Sequence, residues 1–248
     1  MFLCRLSPER GQRLVNFLAT DLTGRVLDSG CGWAELLLQV LAAAPDAQGV
    51  GVDIDAVSLE HGRELARRRG LADRATLLEE NSRTAASRGA DAVICIGSSQ
   101  IWGPPAEDRL PLDYAAALAA LRATVRRSAR VVYGEGIWSR PPTPEAVAPL
   151  SGRHDELVAL PELVELAVAH GFAPMAVHEA SLDEWDVFES GYAAGWAAWL
   201  AEHDPDHPDH PDHPDHPDVR GRAARQRAGY LGGYRGVLGM AYLELLAV

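Results

Sequence analysis

With 248 residues and 47% hydrophobic content, the chain is long enough to bury a full core and reads as one compact domain spanning 1–248, with room for an embellishment. A formal net charge of −12 and the absence of lysine argue against a nucleic-acid partner, whose phosphates demand a basic surface. Three cysteines (Cys4, Cys31 and Cys95) are too few and too scattered for a disulfide framework or a zinc site, so a reducing, cytoplasmic setting is expected. No apolar run approaches membrane-spanning length and the first residues lack the layout of a signal peptide, so no membrane partner is expected.

In chain order, Ser7-Pro8 predicts an N-terminal helix capped by Ser7, with proline in its first turn, running to about Thr20. Arg25–Ser29 is the first strand, and a helix over Ala34–Ala44 packs behind it. Gln48–Asp53 is the second strand, followed by a helix over Val57–Arg69 that Gly70 ends. Ala75–Glu79 and Ala90–Ile96 are the third and fourth strands, the latter an apolar run suited to burial on both faces. A helix over Leu112–Arg127 leads to a fifth strand, Ala129–Glu135, and Arg126, Arg127 and Arg130 are expected to complement the dipole of that helix end. Helix Pro161–His170 stops at Gly171, strand Phe172–Glu179 follows, and Gly236–Leu246 reads as the last strand. This alternation implies an α/β fold with a doubly wound sheet.

Between the sixth and seventh strands lies an insertion over residues 181–235. Leu182–His203 is predicted helical, with Trp185, Phe188, Tyr192, Trp196 and Trp199 spaced for one apolar face. A His-Pro-Asp triplet repeats across residues 204–218, and a helix over Val219–Leu231 returns the chain to the sheet. Histidines at every third residue of a polyproline II helix share a face. A polar, semi-rigid connector explains the repeat without a ligand, and no metal is expected. Ligands of such folds bind outside the carboxyl ends of the strands, so an insertion leaving the sixth strand there is placed to form a lid or substrate wall. Its aromatic helix serves an interface equally well, which leaves a homodimer open.

The most informative segment is Val26-Leu27-Asp28-Ser29-Gly30-Cys31-Gly32, with Asp53 following in Gly51-Val52-Asp53. An apolar strand ends in an acid, two glycines flank one residue, a helix begins, and the next strand ends in a second acid. The missing side chains of Gly30 and Gly32 admit a nucleotide-type ligand close to the backbone, and Asp53 is placed to accept from both hydroxyls of a ribose. Where the dinucleotide fingerprint needs a third small residue, Glu35 stands in the first helical turn and would repel a pyrophosphate. Asp28 likewise suits a cationic ligand. S-adenosyl-L-methionine (SAM) meets both conditions, with an adenosyl ribose, no phosphate, a sulfonium and an ammonium. Glycines serving only the turn are the plainer alternative.

This block resembles the first motif of class I SAM-dependent methyltransferases, and Gly51-Val52-Asp53 resembles their second. Cys95-Ile96-Gly97-Ser98-Ser99-Gln100-Ile101-Trp102-Gly103, Tyr133-Gly134-Glu135-Gly136-Ile137-Trp138 and Asp183-Glu184-Trp185-Asp186 are similar to a group of bacterial small-molecule methyltransferases. The resemblance implies a Rossmann-like sheet of seven strands, the last antiparallel and hairpinned with the sixth. It implies SAM as cofactor, S-adenosyl-L-homocysteine as product, and a reactive methyl projecting past the fourth and fifth strands. It also implies an adenine contact at the third strand end, where Glu79-Glu80-Asn81-Ser82 replaces the usual Gly-Asp and the Asn81 side-chain oxygen can accept the same bond. Ile54, Ser82 and Ile96 complete the expected cofactor contacts. Ala34 replaces a further glycine of the first motif.

Members of that group often carry histidine where Gln100 stands. Glutamine cannot titrate and can only position an acceptor, which leaves Glu135 as the candidate base or substrate anchor, its alternative being a carboxylate bonded to local amides. Trp33, Trp102, Trp138 and Trp185 each fall just beyond a predicted strand end, and together are expected to wall a pocket for a hydrophobic or aromatic small molecule. His61, His154, His170 and His178 carry no such placement. The expected reaction is SAM-dependent methyl transfer to an oxygen, nitrogen or carbon acceptor. The rivals are a protein of the same fold that binds SAM without methylating, given the altered Ala34, Asn81 and Gln100, and a nicotinamide-dependent oxidoreductase.

Overall fold

The computed structural model describes residues 5–83, 89–104, 110–202 and 216–248. Seven strands form one sheet in the order β3-β2-β1-β4-β5-β7-β6. They are β1 (Arg25–Ser29), β2 (Gln48–Asp53), β3 (Ala75–Glu79), β4 (Ala90–Ile96), β5 (Val125–Trp138), β6 (Phe172–Glu179) and β7 (Leu238–Ala247). The pairings from β3 to β5 are parallel, and β7 runs antiparallel between β5 and β6. The doubly wound sheet with its last strand antiparallel is therefore the fold the sequence leads one to expect.

The helices are α1 (Pro8–Ala19), α2 (Glu35–Ala43), α3 (Ala56–Arg68), α4 (Tyr114–Thr124), α5 (Pro144–Val147), α6 (Leu160–Ala169), α7 (Leu182–Glu202) and α8 (His216–Gly229). Successive strand side chains alternate between two apolar layers. Val26, Ala92, Ile94, Val132 and Tyr242 face Leu14, Leu18, Leu37 and Leu41 of α1 and α2. Leu27, Val93, Val131, Tyr133 and Leu243 face Leu118 and Leu121 of α4 and Leu163 of α6. Covering both faces is what allows the central strands to be apolar throughout. Among the described residues no helix is long and apolar enough to cross a membrane.

Three local expectations need correction. α4 ends at Thr124 and β5 begins at Val125, so Arg126, Arg127 and Arg130 are strand residues and cap no helix. The cause is pairing of Val125 with Ala90 across a register shift in β4, which recruits the segment into the sheet. There Arg126 forms an ion pair with Asp91, and the Arg130 guanidinium lies 5.2 Å from the Phe17 ring centroid. Ala34 does not open the second helix: its φ of 60° is left-handed, and α2 starts at Glu35. β5 also continues past Glu135 to Trp138.

The 204–218 repeat lies outside the described residues, except that residues 216–218 open α8. α7 is fastened to the N-terminal segment rather than buried along one aromatic face. Of its aromatic residues with described side chains, Trp185 is buried, and Phe188, Trp196 and Trp199 are half-buried. Glu184 accepts from Ser7 N at 2.9 Å, Ser181 N at 2.7 Å, and Arg10 Nε and Nη2 at 2.9 and 2.8 Å. Although largely buried, this carboxyl is held down to about 2, because those donors outweigh the desolvation that burial imposes.

Because the folded-state value lies below the ordinary one, the stability Glu184 contributes is present above about pH 4.5 and is lost as pH falls toward 2. Arg10→Met removes two hydrogen bonds to a charged, largely buried carboxylate and should lower unfolding stability by about 2 kcal/mol at pH 7. Denaturant unfolding should show this deficit shrinking at pH 3, and an equal deficit at both values would mean that packing, not charge, holds α7 in place.

Candidate functional site

A cavity of about 390 Å³ opens at the carboxyl edge of β1, β2, β4 and β5. Its floor is made by the turn after β1, where Gly30 and Gly32 have φ of +71° and +53° and Ala34 follows at +60°. A Cβ on Gly30 would come within 2.5 Å of the Ser98 Cβ, so glycine is required there by space as well as by φ. Gly30 N and Cys31 N both donate to Val52 O, at 2.9 and 3.1 Å, and bind this turn to β2.

Asp53 completes the turn. Its Oδ2 accepts from Gly32 N at 2.7 Å and its Oδ1 from Asp55 N at 2.9 Å. Each carboxylate oxygen keeps a further lone pair for a ligand hydroxyl. Asp28 lies inside the cavity wall and is 4% exposed; burial, and then the neighbouring Asp53 carboxylate, push it up to about 8. A cation in the cavity would reverse that shift by stabilising the ionised form.

Glu135 lines the same cavity from β5. Burial pushes its carboxyl up, while Ser99 N donates to Oε2 at 3.0 Å and Gly136 N to Oε1 at 2.9 Å. Ser99 is fixed in turn by its hydroxyl, 2.6 Å from the Tyr133 hydroxyl. The local-amide arrangement is thus present, and the carboxylate also faces the cavity. Gln100 stands apart: it is exposed, its only described contact is Nε2 to Gly97 O at 3.5 Å, and it does not line the cavity.

The expected cofactor residues divide in the same way. Asp28, Gly30, Gly32, Asp53 and Ile96 share the cavity. Ile54 projects from the end of β2 with 76% of its surface exposed. Asn81 spends its side-chain oxygen on Arg83 N, at 2.9 Å, and neither Asn81 nor Ser82 reaches the cavity wall.

The four tryptophans do not converge. Trp33 and Trp185 line the cavity, whereas Trp102 packs against the apolar layer of α4 and Trp138 is buried with its indole donating to His154 O at 3.0 Å. Trp138 was expected beyond a strand end, but β5 runs on to it and pairs it with Leu238 inside the sheet. At Trp102, the 3-10 turn Ser99–Ile101 directs the chain to the α4 side.

The structure adds Arg5, Leu6, Gly239 and Met240 to the wall. No local motif marks them. Arg5 is held by its neighbours: Tyr242 Oη donates to its carbonyl at 2.8 Å, and its guanidinium lies between the Trp185 and Phe188 rings at 4.3 and 4.1 Å. A second cavity, about 1080 Å³, lies between α1, α2 and α7 and shares Leu6, Trp33 and Glu35 with the first.

Residues 26–125 match the family model described as a methyltransferase domain. No curated protein matches the sequence. Among solved structures, the chain is 23% identical to a SAM-dependent methyltransferase from Geobacter sulfurreducens in complex with S-adenosyl-L-homocysteine, covering 100% of this chain and 94% of that one at a TM-score of 0.80. The corresponding enzyme from Thiobacillus denitrificans, in the same complex, gives 23% identity, coverage of 100% and 94%, and a TM-score of 0.79. A more distant match is the geranyl diphosphate C-methyltransferase of Streptomyces coelicolor, solved with Mg2+, geranyl diphosphate and S-adenosyl-L-homocysteine, at 14% identity, coverage of 97% and 79%, and a TM-score of 0.61. The chain therefore matches a methyltransferase-domain model over residues 26–125 and, along its whole length, shares the fold of solved SAM-dependent methyltransferases.

Proposed function

We propose that this chain is a SAM-dependent methyltransferase acting on a small hydrophobic or aromatic molecule. The observation that carries the reading is the cavity's lining of carboxyl groups: Asp28, Asp53, Glu135 and Glu35 all belong to its wall, the last ion-paired with Arg69 at 2.9 Å. That set of acceptors fits a cation with a ribose and disfavours a pyrophosphate, which speaks against the nicotinamide reading. The solved structures with S-adenosyl-L-homocysteine support the same cofactor.

Asp53, already oriented by two amides, would take the ribose hydroxyls, and Asp28 the ammonium. Ile96 would flank the adenine inside the cavity, and the exposed Ile54, with Asn81 and Ser82, would meet it only where it extends past the cavity wall. SAM supplies an electrophilic methyl on a sulfonium and leaves as S-adenosyl-L-homocysteine. The chain's contribution is alignment of two reactants in a site that α7 and the N-terminal segment shield from water. Glu135 would anchor the acceptor or take its proton, directly or through water. Burial raises its carboxyl above the ordinary value, which makes the ionised form a stronger proton acceptor than a solvated carboxylate. Since Arg5 already lies 4.3 Å from the Trp185 ring centroid, attraction of the sulfonium to a ring falls to Trp33.

One rival keeps a specific observation. Both Glu135 oxygens are engaged by amides and Gln100 lies outside the cavity, which is what a SAM-binding protein without methyl transfer would show. Incubating the protein with labelled SAM and extracts of its source organism separates the two, since only the enzyme labels a small molecule.

Calorimetry should show SAM and S-adenosyl-L-homocysteine binding and NAD failing to bind; NAD binding while SAM fails at millimolar concentration would end the reading. Asp53→Ala should weaken SAM at least about tenfold, the effect of a lost hydrogen bond to a charged group. SAM affinity should also rise with pH up to about 8 and then level, because the cation favours ionised Asp28 and binding below that value releases a proton. Asp28→Asn should flatten that profile, and a flat profile in the wild type would remove Asp28 from the ammonium.

A further inference from the structure

Arg5 and Trp185 both line the strand-end cavity, and Arg5 Nε and Trp185 Nε1 are buried without a hydrogen-bond acceptor among the described residues. Trp185 is only 4% exposed, so water does not readily satisfy its indole. A buried donor left unpaired is costly, and native structures keep few of them. The residues around the pair are otherwise firmly held. Arg5 Nη2 lies 3.3 Å from Glu189 Oε1, Glu189 is itself 4% exposed, and Gln226 and Tyr234 donate to its other oxygen at 2.6 and 3.1 Å.

The larger cavity continues from this point. It meets the first at Leu6, Trp33 and Glu35 and runs between α1 and α7 past Pro8, Val187 and Phe188 to Gly191. Its volume of about 1080 Å³ exceeds what a compact acceptor needs. Charged groups such as Arg10, Arg13 and Asp183 belong to its wall, and the junction of the two cavities is lined by Leu6 and Trp33 together with Glu35.

We propose, building on the methyl-transfer reading above, that the methyl acceptor is an elongated apolar molecule with an uncharged oxygen at its head. The head oxygen, a ketone, ester or hydroxyl, accepts from Trp185 Nε1 and Arg5 Nε, and the tail lies in the groove between α1 and α7. An uncharged head is favoured over a carboxylate because Glu189 already meets the Arg5 charge, and Asp28 and Glu135 face the same space.

The test uses the full chain loaded with S-adenosyl-L-homocysteine and three probes: 2-undecanone, decanoate and 2-pentanone. Calorimetry should show 2-undecanone binding at least tenfold more tightly than decanoate. Trp185→Phe, which keeps a ring and removes the N–H, should weaken 2-undecanone at least fivefold more than it weakens S-adenosyl-L-homocysteine. Gly191→Phe should weaken 2-undecanone at least tenfold while leaving 2-pentanone, followed by ligand-observed NMR, unchanged. A Cβ at position 191 meets nothing within 4 Å, so that variant fills the groove without disturbing α7. Decanoate binding as well as the ketone, an unaffected Trp185→Phe protein, or no binding of 2-undecanone would each overturn the inference. Failure of S-adenosyl-L-homocysteine itself to bind would instead overturn the methyl-transfer reading on which it rests.

Discussion

The Asp53 carboxylate binds the turn after β1 to the turn after β2, and the shape of the cavity follows from that link. Gly32 N and Asp55 N converge on its two oxygens, while Gly30 N and Cys31 N close on Val52 O. A buried turn with three left-handed residues would otherwise expose backbone donors to an apolar layer. Holding the acid at the strand end satisfies those donors and fixes a carboxylate at the cavity mouth. The same bonds that stabilise the turn prepare it for a ligand.

Two further acids are kept at that edge against their own solvation. Asp28 and Glu135 are nearly buried and burial pushes both carboxyls up, so ionising either one costs lost solvation until a partner arrives. Groups in that condition are better suited to function than to stability. Stability is supplied elsewhere, by the two apolar layers and by the fastening of α7. Glu184 is its counterpart: an acid with enough donors to remain ionised, used to hold a helix rather than to await a ligand.

Much of this was legible from local chemistry. The bounds of β1, β2, β3, β4 and β6 coincide with the residues read as strands, because apolar runs bounded by glycines and acids leave few alternatives. β5 was read short at both ends. Its extra residues pair with Ala90 and Leu238, partners remote in sequence, and arginines at its start do not resemble a strand. Trp138 therefore lies within the sheet, although local sequence places it beyond the strand end. Gln100 and Trp102 were misplaced for a related reason: a 3-10 turn rotates the chain after Ser98, and no residue pattern announces that rotation.

The sequence by itself determined the strands, the glycine turn and the acids at the strand ends, because each depends on neighbours within a few residues. It thereby pointed to a cationic, ribose-bearing cofactor. Only the tertiary structure decided what closes over that edge. Arg5, Trp185 and Met240 come from three distant parts of the chain, and they meet because α7 docks on α1 through Glu184 and β7 returns antiparallel beside β5. Contacts of that span leave no periodic or spacing signal. The path from the strand ends to the groove beside α7, and with it the proposed form of the methyl acceptor, therefore became visible only once the chain was folded.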